Sequence, residues 1–136
     1  MSDLQLSLAV SRNPMTEPLL DGRVNPAGID WLVSGVHPSE LFWRQLKYRD
    51  FDISEMSLSS LTIAASRGIR EWVALPIFTT RRFFHTGIVV RPDAGIDDPG
   101  DLAGKRVGVP EYQQTAAVWA RAWLISKVAQ RNEAGK

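Results

Sequence analysis

Short apolar runs alternate along this chain with segments whose apolar residues recur at helical spacing, and that alternation limits the fold more than any other feature. Leu4 to Val10 sets Leu4, Leu6 and Leu8 on one face, as a strand does. Ile29 to Val33, Phe51 to Met56, Trp72 to Leu75, Thr86 to Val90 and Arg106 to Val109 are further strand-like runs, three of them closed by Pro76, Arg91-Pro92 and Pro110. Between the runs, Met15 to Leu20 follows Pro14 as a short helix or turn, and Pro38 to about Tyr48 carries Leu41, Phe42 and Leu46 at helical spacing. Ser57 to Arg67, stopped by Gly68, and Gln113 to about Val128 read as two more helices. Asp97 to Gly104 reads as a turn with one helical turn in it. Strands alternating with helices predict an α/β fold with a parallel-rich sheet and flanking helices.

The chain's 136 residues and 44% hydrophobic content suit one domain with a core. Sixteen Lys and Arg against fifteen Asp and Glu give a net charge of +1, so no basic footprint for nucleic acid is present. There is no cysteine, which excludes disulfides and thiolate metal sites. His37 and His85 lie far apart, with no HxH or HExxH spacing, and no GxGxxG, P-loop or GxSxG occurs. The sequence therefore offers no metal motif and leads to the expectation of no cofactor. No apolar run approaches the roughly 20 residues of a membrane span. Met1 to Val10 lacks a basic start and a long apolar stretch, so a cytoplasmic location is the default expectation.

One junction has the pattern of a ligand site. Gly104 to Val109 forms a strand that breaks at Pro110 and turns straight into a helix through Glu111, Tyr112, Gln113, Gln114 and Thr115. Free N–H groups and the helix dipole favour anions at such a start, and the Tyr, Gln and Thr side chains add donors. This predicts a carboxylate cradle, against the alternative of ordinary helix-start chemistry. Ser11, Arg12 and Asn13, after the first strand, form a similar, weaker case. Arg81 and Arg82 could grip a dicarboxylate, because guanidinium forks match carboxylates, or could be exposed without a role. Glu55 either faces a cleft as an acid or orienting group, or caps a helix or pairs with a surface cation. Ser57 and Ser59 read as N-cap residues first and ligand contacts second. His85 titrates near neutrality and could donate a proton or bind a carboxylate, or could be a loop histidine satisfied by backbone. Trp119 and Trp123, four apart on one helix face, are expected in core packing, and His37 before Pro38 as a loop residue.

Several of these segments, taken in order, resemble the 4,5-dihydroxyphthalate decarboxylase family. They are Phe51 to Ser60, Arg81 to Thr86, Asp101 to Val109, and Glu111 to Trp119. That family is similar to type II periplasmic solute-binding proteins, and many relatives carry the label of ABC-transporter substrate-binding proteins. The likeness covers about Leu4 to Leu124. It implies a two-lobed α/β protein with a ligand cleft between the lobes, of which this chain holds the N-terminal part. Residues 1–91 would form a first-lobe segment, 92–128 a crossover and the start of the second lobe, and 129–136 a frayed tail. Arg81 and the helix start would hold substrate carboxylates, with Arg12 and Ser57 as further contacts, and His85 or Glu55 would deliver a proton. The family carries an arginine directly before the position of His85; here Phe84 stands there. Members of the family are more than twice this long, so the resemblance leads to the expectation of a shortened chain, inactive alone and prone to self-association through uncovered edges. The alternative is a binding protein or cytoplasmic sensor for a small aromatic carboxylate.

Overall fold

The computed structural model describes residues 3–134. These form two compact units, one of residues 3–57 and 64–80, the other of residues 58–63 and 81–134.

The first unit is built on a three-stranded parallel sheet. Strand β1 (Leu4–Val10) lies between β2 (Ile29–Gly35) and the short β3 (Ile53–Ser54). Register follows the side-chain alternation. Leu4, Leu6 and Leu8 oppose Ile29, Trp31 and Val33, while Gln5, Ser7 and Ala9 oppose Asp30, Leu32 and Ser34. One face is thus apolar and the other largely polar, and a slip of one residue would exchange them. Leu8, Ala9 and Val10 at the carboxyl end of β1 are buried, as is Leu41 from helix α2 (Pro38–Tyr48). Helix α1 (Glu17–Leu20) packs against β2, and α2 against β1.

Local chemistry fixes the ends of α2. Pro38 sits at its first turn, where a missing N–H costs nothing. His37, expected as a loop residue, is the N-cap, and its Nδ1 accepts a hydrogen bond from the Ser39 N–H at 3.4 Å. Arg49 ends the helix in the left-handed region at φ 58°. The buried Gln45 then closes the connection to β3: its Nε2 donates to the Phe51 carbonyl and its Oε1 accepts from the Phe51 N–H. Asp52 adds a second lock, accepting from both the N–H and the hydroxyl of Ser7. The Ser7 backbone and then its hydroxyl hold this carboxyl below the ordinary carboxylate range.

Helix α3 (Leu58–Ser66) begins where the Ser-rich run predicts. Three expected strands are absent among the described residues. Trp72 to Leu75 and Arg106 to Val109 are irregular, and Thr86 to Val90 is a 3-10 turn over Phe84–Gly87 followed by irregular chain. Apolar, β-branched sequence is not enough: a strand needs a neighbour to take its backbone hydrogen bonds, and among the described residues these runs have none. Val73 is 89% exposed and Val89 91%.

The second unit is dominated by α4 (Thr115–Ala134), against which the 3-10 turns Phe84–Gly87 and Pro99–Leu102 pack. The Pro99–Leu102 turn is the helical turn expected within Asp97 to Gly104. Asp98 and Asp101 close it as a capping box. Arg131 reaches both carboxylates at 3.1 and 3.0 Å. Gly100 makes room for that contact, since a Cβ there would stand 2.5 Å from the Arg131 side chain. The helix therefore continues past the expected end at Val128, helped by Gln130, Arg131 and Glu133, all good helix formers. Among the described residues no helix is long and apolar enough to cross a membrane.

Two outcomes follow for the first unit. Leu41→Ala removes a fully buried side chain and is expected to lower stability by about 2–5 kcal/mol in denaturant unfolding. Because the folded carboxyl of Asp52 titrates below its unfolded value of 3.8, its contribution is full above that value and is lost as pH falls through the lower, folded value. The difference in Tm between the wild type and Asp52→Asn should therefore stay constant near neutrality and close in acid.

Candidate functional site

In an open parallel sheet, the carboxyl ends of the strands are where ligands gather. In this chain that end of β1 is followed by Ser11, Arg12 and Asn13. The loop is held by its own hydrogen bonds. The Thr16 hydroxyl donates to the Ser11 carbonyl at 2.5 Å, and Asn13 Oδ1 accepts from the Met15 N–H at 2.9 Å. From β3, the Glu55 N–H extends the ladder to the Ala9 carbonyl. That backbone bond brings the Glu55 carboxylate to the end of β1. Its Oε2 accepts from the Ser11 N–H at 3.0 Å and from the Ser11 hydroxyl at 2.6 Å. Its Oε1 is enclosed and takes no hydrogen bond among the described residues. Glu55 therefore neither caps α3 through these contacts nor pairs with a surface cation. It is an oriented acid with one oxygen fixed and the other uncommitted. A buried polar atom without a hydrogen bond is costly.

Arg12 is exposed and forms an ion pair with Glu17 of α1 through one of its Nη atoms. Ser57, three residues past the end of β3, is buried. A surface depression of about 600 Å³ lies at the opposite, amino end of β1 and β2. Asp3, Gln5, Asn25 and Asp30 line it, and it contains none of the candidate residues.

The other candidates belong to the second unit. His85 sits in the Phe84–Gly87 turn, half-buried, and stacks on Trp123 of α4 with ring centroids 5.2 Å apart and planes 15° apart. Phe83 lies on it at 5.9 Å, tilted by 55°. This revises the expectation for the two tryptophans. Trp123 has a stacking role, and Trp119 is 63% exposed rather than in a core. The two are four apart, but the turn that carries His85 covers Trp123 alone. Arg81, just before this turn, is exposed.

At the start of α4 several polar groups already have partners. The Thr115 hydroxyl accepts from the Ser59 N–H at 3.1 Å, and the Ser59 hydroxyl donates to the Gln113 carbonyl at 2.5 Å. The side-chain amide of Gln113 donates to Glu111. Tyr112 is 70% exposed, and the Arg121 guanidinium covers its ring at 3.7 Å while donating to the Tyr112 carbonyl at 2.6 Å. Gln114 is half-buried, and its carbonyl accepts the Val118 N–H. Ser59 and Thr115 thus join the first turns of α3 and α4, a structural role. Arg121 supplies a cation that no sequence motif marks. It lies nine residues from Tyr112, beyond the neighbour spacing of a helix. Among the described residues no three His, Asp or Glu gather as a metal-ligand set.

A three-stranded parallel sheet with flanking helices places the chain in the α/β class. No protein-family model matches the chain. It is similar to two curated proteins named 4,5-dihydroxyphthalate decarboxylase. That from Comamonas testosteroni is 46% identical over 124 residues, which is 91% of this chain and 38% of the relative. That from Pseudomonas putida is 44% identical over 124 residues, 91% of this chain and 48% of the relative. The chain therefore spans less than half the length of each relative, and the resemblance read from Phe51 to Ser60, Arg81 to Thr86, Asp101 to Val109 and Glu111 to Trp119 is borne out as a likeness over 91% of this chain.

Removing the Glu55 acceptor should be felt at once. Glu55→Ala leaves two donors of the buried Ser11 unpaired and is expected to cost about 1–3 kcal/mol in unfolding, with Glu55→Gln costing less. For the second unit, the indole of Trp123 should shift the His85 ring protons upfield in NMR spectra. Trp123→Leu should return them to ordinary histidine positions.

Proposed function

We propose that the chain supplies part of the active site of a non-oxidative aromatic decarboxylase acting on a dihydroxy aromatic dicarboxylate. The observation that carries this is the 44–46% identity to two proteins named 4,5-dihydroxyphthalate decarboxylase across 91% of the chain. The wider frame is a two-lobed fold like that of type II periplasmic binding proteins, in a cytoplasmic setting. Such a reaction delivers a proton to the ring carbon that bears the carboxylate. The pair of electrons in the carbon–carbon bond returns to the ring as CO2 leaves, giving a dihydroxybenzoate. A hydroxyl ortho or para to that carbon helps the ring accept the proton.

In this reading Arg81 and the polar start of α4, with Tyr112 to Thr115, hold the carboxylates. Arg12, which also pairs with Glu17, is a further contact. Glu55 and His85 are the two groups able to exchange a proton. Ser11 fixes one oxygen of Glu55 and leaves the other for a ligand hydroxyl or proton. The flat stack of His85 on Trp123 restricts the imidazole to one plane.

The purified chain should unfold at a temperature that rises with 4,5-dihydroxyphthalate, and rise less with its isomers whose carboxylates are not adjacent. A ligand present at 100 times its Kd would add about 2.7 kcal/mol. A transition indifferent to every diacid would contradict the reading. Catalysis needs the remaining groups of a whole cleft, so turnover by the chain alone is expected to be undetectable.

A further inference from the structure

Helix α4 carries a guanidinium that is oriented but not neutralised. Arg12, Arg23, Arg44, Arg49, Arg91 and Arg131 each pair with a carboxylate. Arg121 has no carboxylate within ion-pair distance among the described residues. It is nonetheless half-buried, and two neutral groups of one residue hold it. Its central carbon lies 3.7 Å from the centre of the Tyr112 ring, and one Nη donates to the Tyr112 carbonyl at 2.6 Å. That is the separation of two stacked planes, and the N–H groups of a stacked guanidinium point outward past the ring rather than into it. A guanidinium has five such donors, and the Tyr112 carbonyl takes one. Glu111, next to Tyr112, accepts instead from the Gln113 amide. A ring and a carbonyl fix where the charge sits without cancelling it, and a partly desolvated charge without a counter-charge is costly.

We propose that Arg121 binds a carboxylate of the substrate, with Tyr112 as the platform that fixes the plane of its guanidinium. The remaining N–H groups form a fork that matches the two oxygens of a planar carboxylate. Because the long side chain is already held in place, little conformational freedom is lost when the anion arrives. The choice of a carboxylate as the anion rests on the functional reading above, whereas the subsite itself rests on the anchoring of Arg121 and its lack of an acidic partner among the described residues.

The test titrates the purified chain with 4,5-dihydroxyphthalate and reads the Arg121 Nε–H and the Tyr112 ring protons by NMR, which detects weak binding. Both signals are expected to shift together and to saturate. The dimethyl ester, which keeps the ring and loses both charges, should leave them unmoved. Arg121→Gln, read on the Tyr112 ring, should weaken affinity about tenfold or more. Arg121→Lys, which keeps the charge without the fork, should weaken it less. Tyr112→Leu, at an exposed position, should weaken it by leaving the guanidinium without its platform. Arg23→Gln, which removes the same charge from the other unit, should leave affinity unchanged. Diacid binding that Arg121→Gln leaves intact, or a response to the ester as strong as to the diacid, would overturn the proposal while the functional reading stands. Arg121 would then merely tie Tyr112 to the helix, and its loss would lower Tm without changing affinity. Binding that depends on Arg121 but does not prefer 4,5-dihydroxyphthalate to diacids whose carboxylates are not adjacent would keep the subsite and count against the functional reading. No binding of any diacid would overturn both.

Discussion

Every buried N–H and C=O must find a partner, and in the first unit β1 is the strand that meets this demand on both edges. Its ladder to β2 runs its whole length, and its ladder to β3 passes through Leu8 and Ala9 to the Glu55 N–H. Two carboxylates reinforce the shorter side. Asp52 grips Ser7 and Glu55 grips Ser11, so β3 is held to β1 by side chains at both ends of a two-residue strand. The same contacts that hold the sheet orient the acid of the candidate site. In the proposed reading, the Glu55–Ser11 pair serves the stability of the sheet and the orientation of the acid together.

The second unit is organised around a helix rather than a sheet. Its fixed points are polar: Arg131 on the Asp98–Asp101 turn, and Ser59 on Thr115 and Gln113. Arg131 holds the Asp101 carboxyl below its ordinary range through a direct hydrogen bond, while backbone N–H groups of Asp98 and Asp97 add to the effect. The Arg131 contacts are exposed, and exposed ion pairs contribute little to stability. Burial of apolar surface stabilises a fold far more, and it is scarce in this unit, where Ala117 is the buried apolar residue among those described.

Much of the first unit was legible in the sequence, because its signals are local. The alternation of Leu4, Leu6 and Leu8 marks β1, and Pro38 with the spacing of Leu41 marks α2 at its observed ends. What failed was also physically consistent. Trp72 to Leu75, Thr86 to Val90 and Arg106 to Val109 carry strand composition, but a strand is a property of a pair, and their pairing cannot be read from one segment. At the candidate site, the place of Glu55 after a strand was legible, whereas its grip on Ser11 joins residues 44 apart and left no local trace. The expected anion cradle at Tyr112 to Thr115 rests on residue types alone. There the Gln113 amide donates to Glu111, the Thr115 hydroxyl accepts from the Ser59 N–H, and the Tyr112 carbonyl accepts from Arg121.

Amide hydrogen exchange on the free chain, read residue by residue, tests the central claim most directly. β1 should be the most protected strand, with the Ser11 and Glu55 amides protected alongside it, while amides of 72–75, 89–90 and 106–109 exchange near the rate of unstructured chain. Slow exchange throughout 106–109 in the free chain would mean that this run already has a strand partner. It would contradict the polar organisation of the second unit.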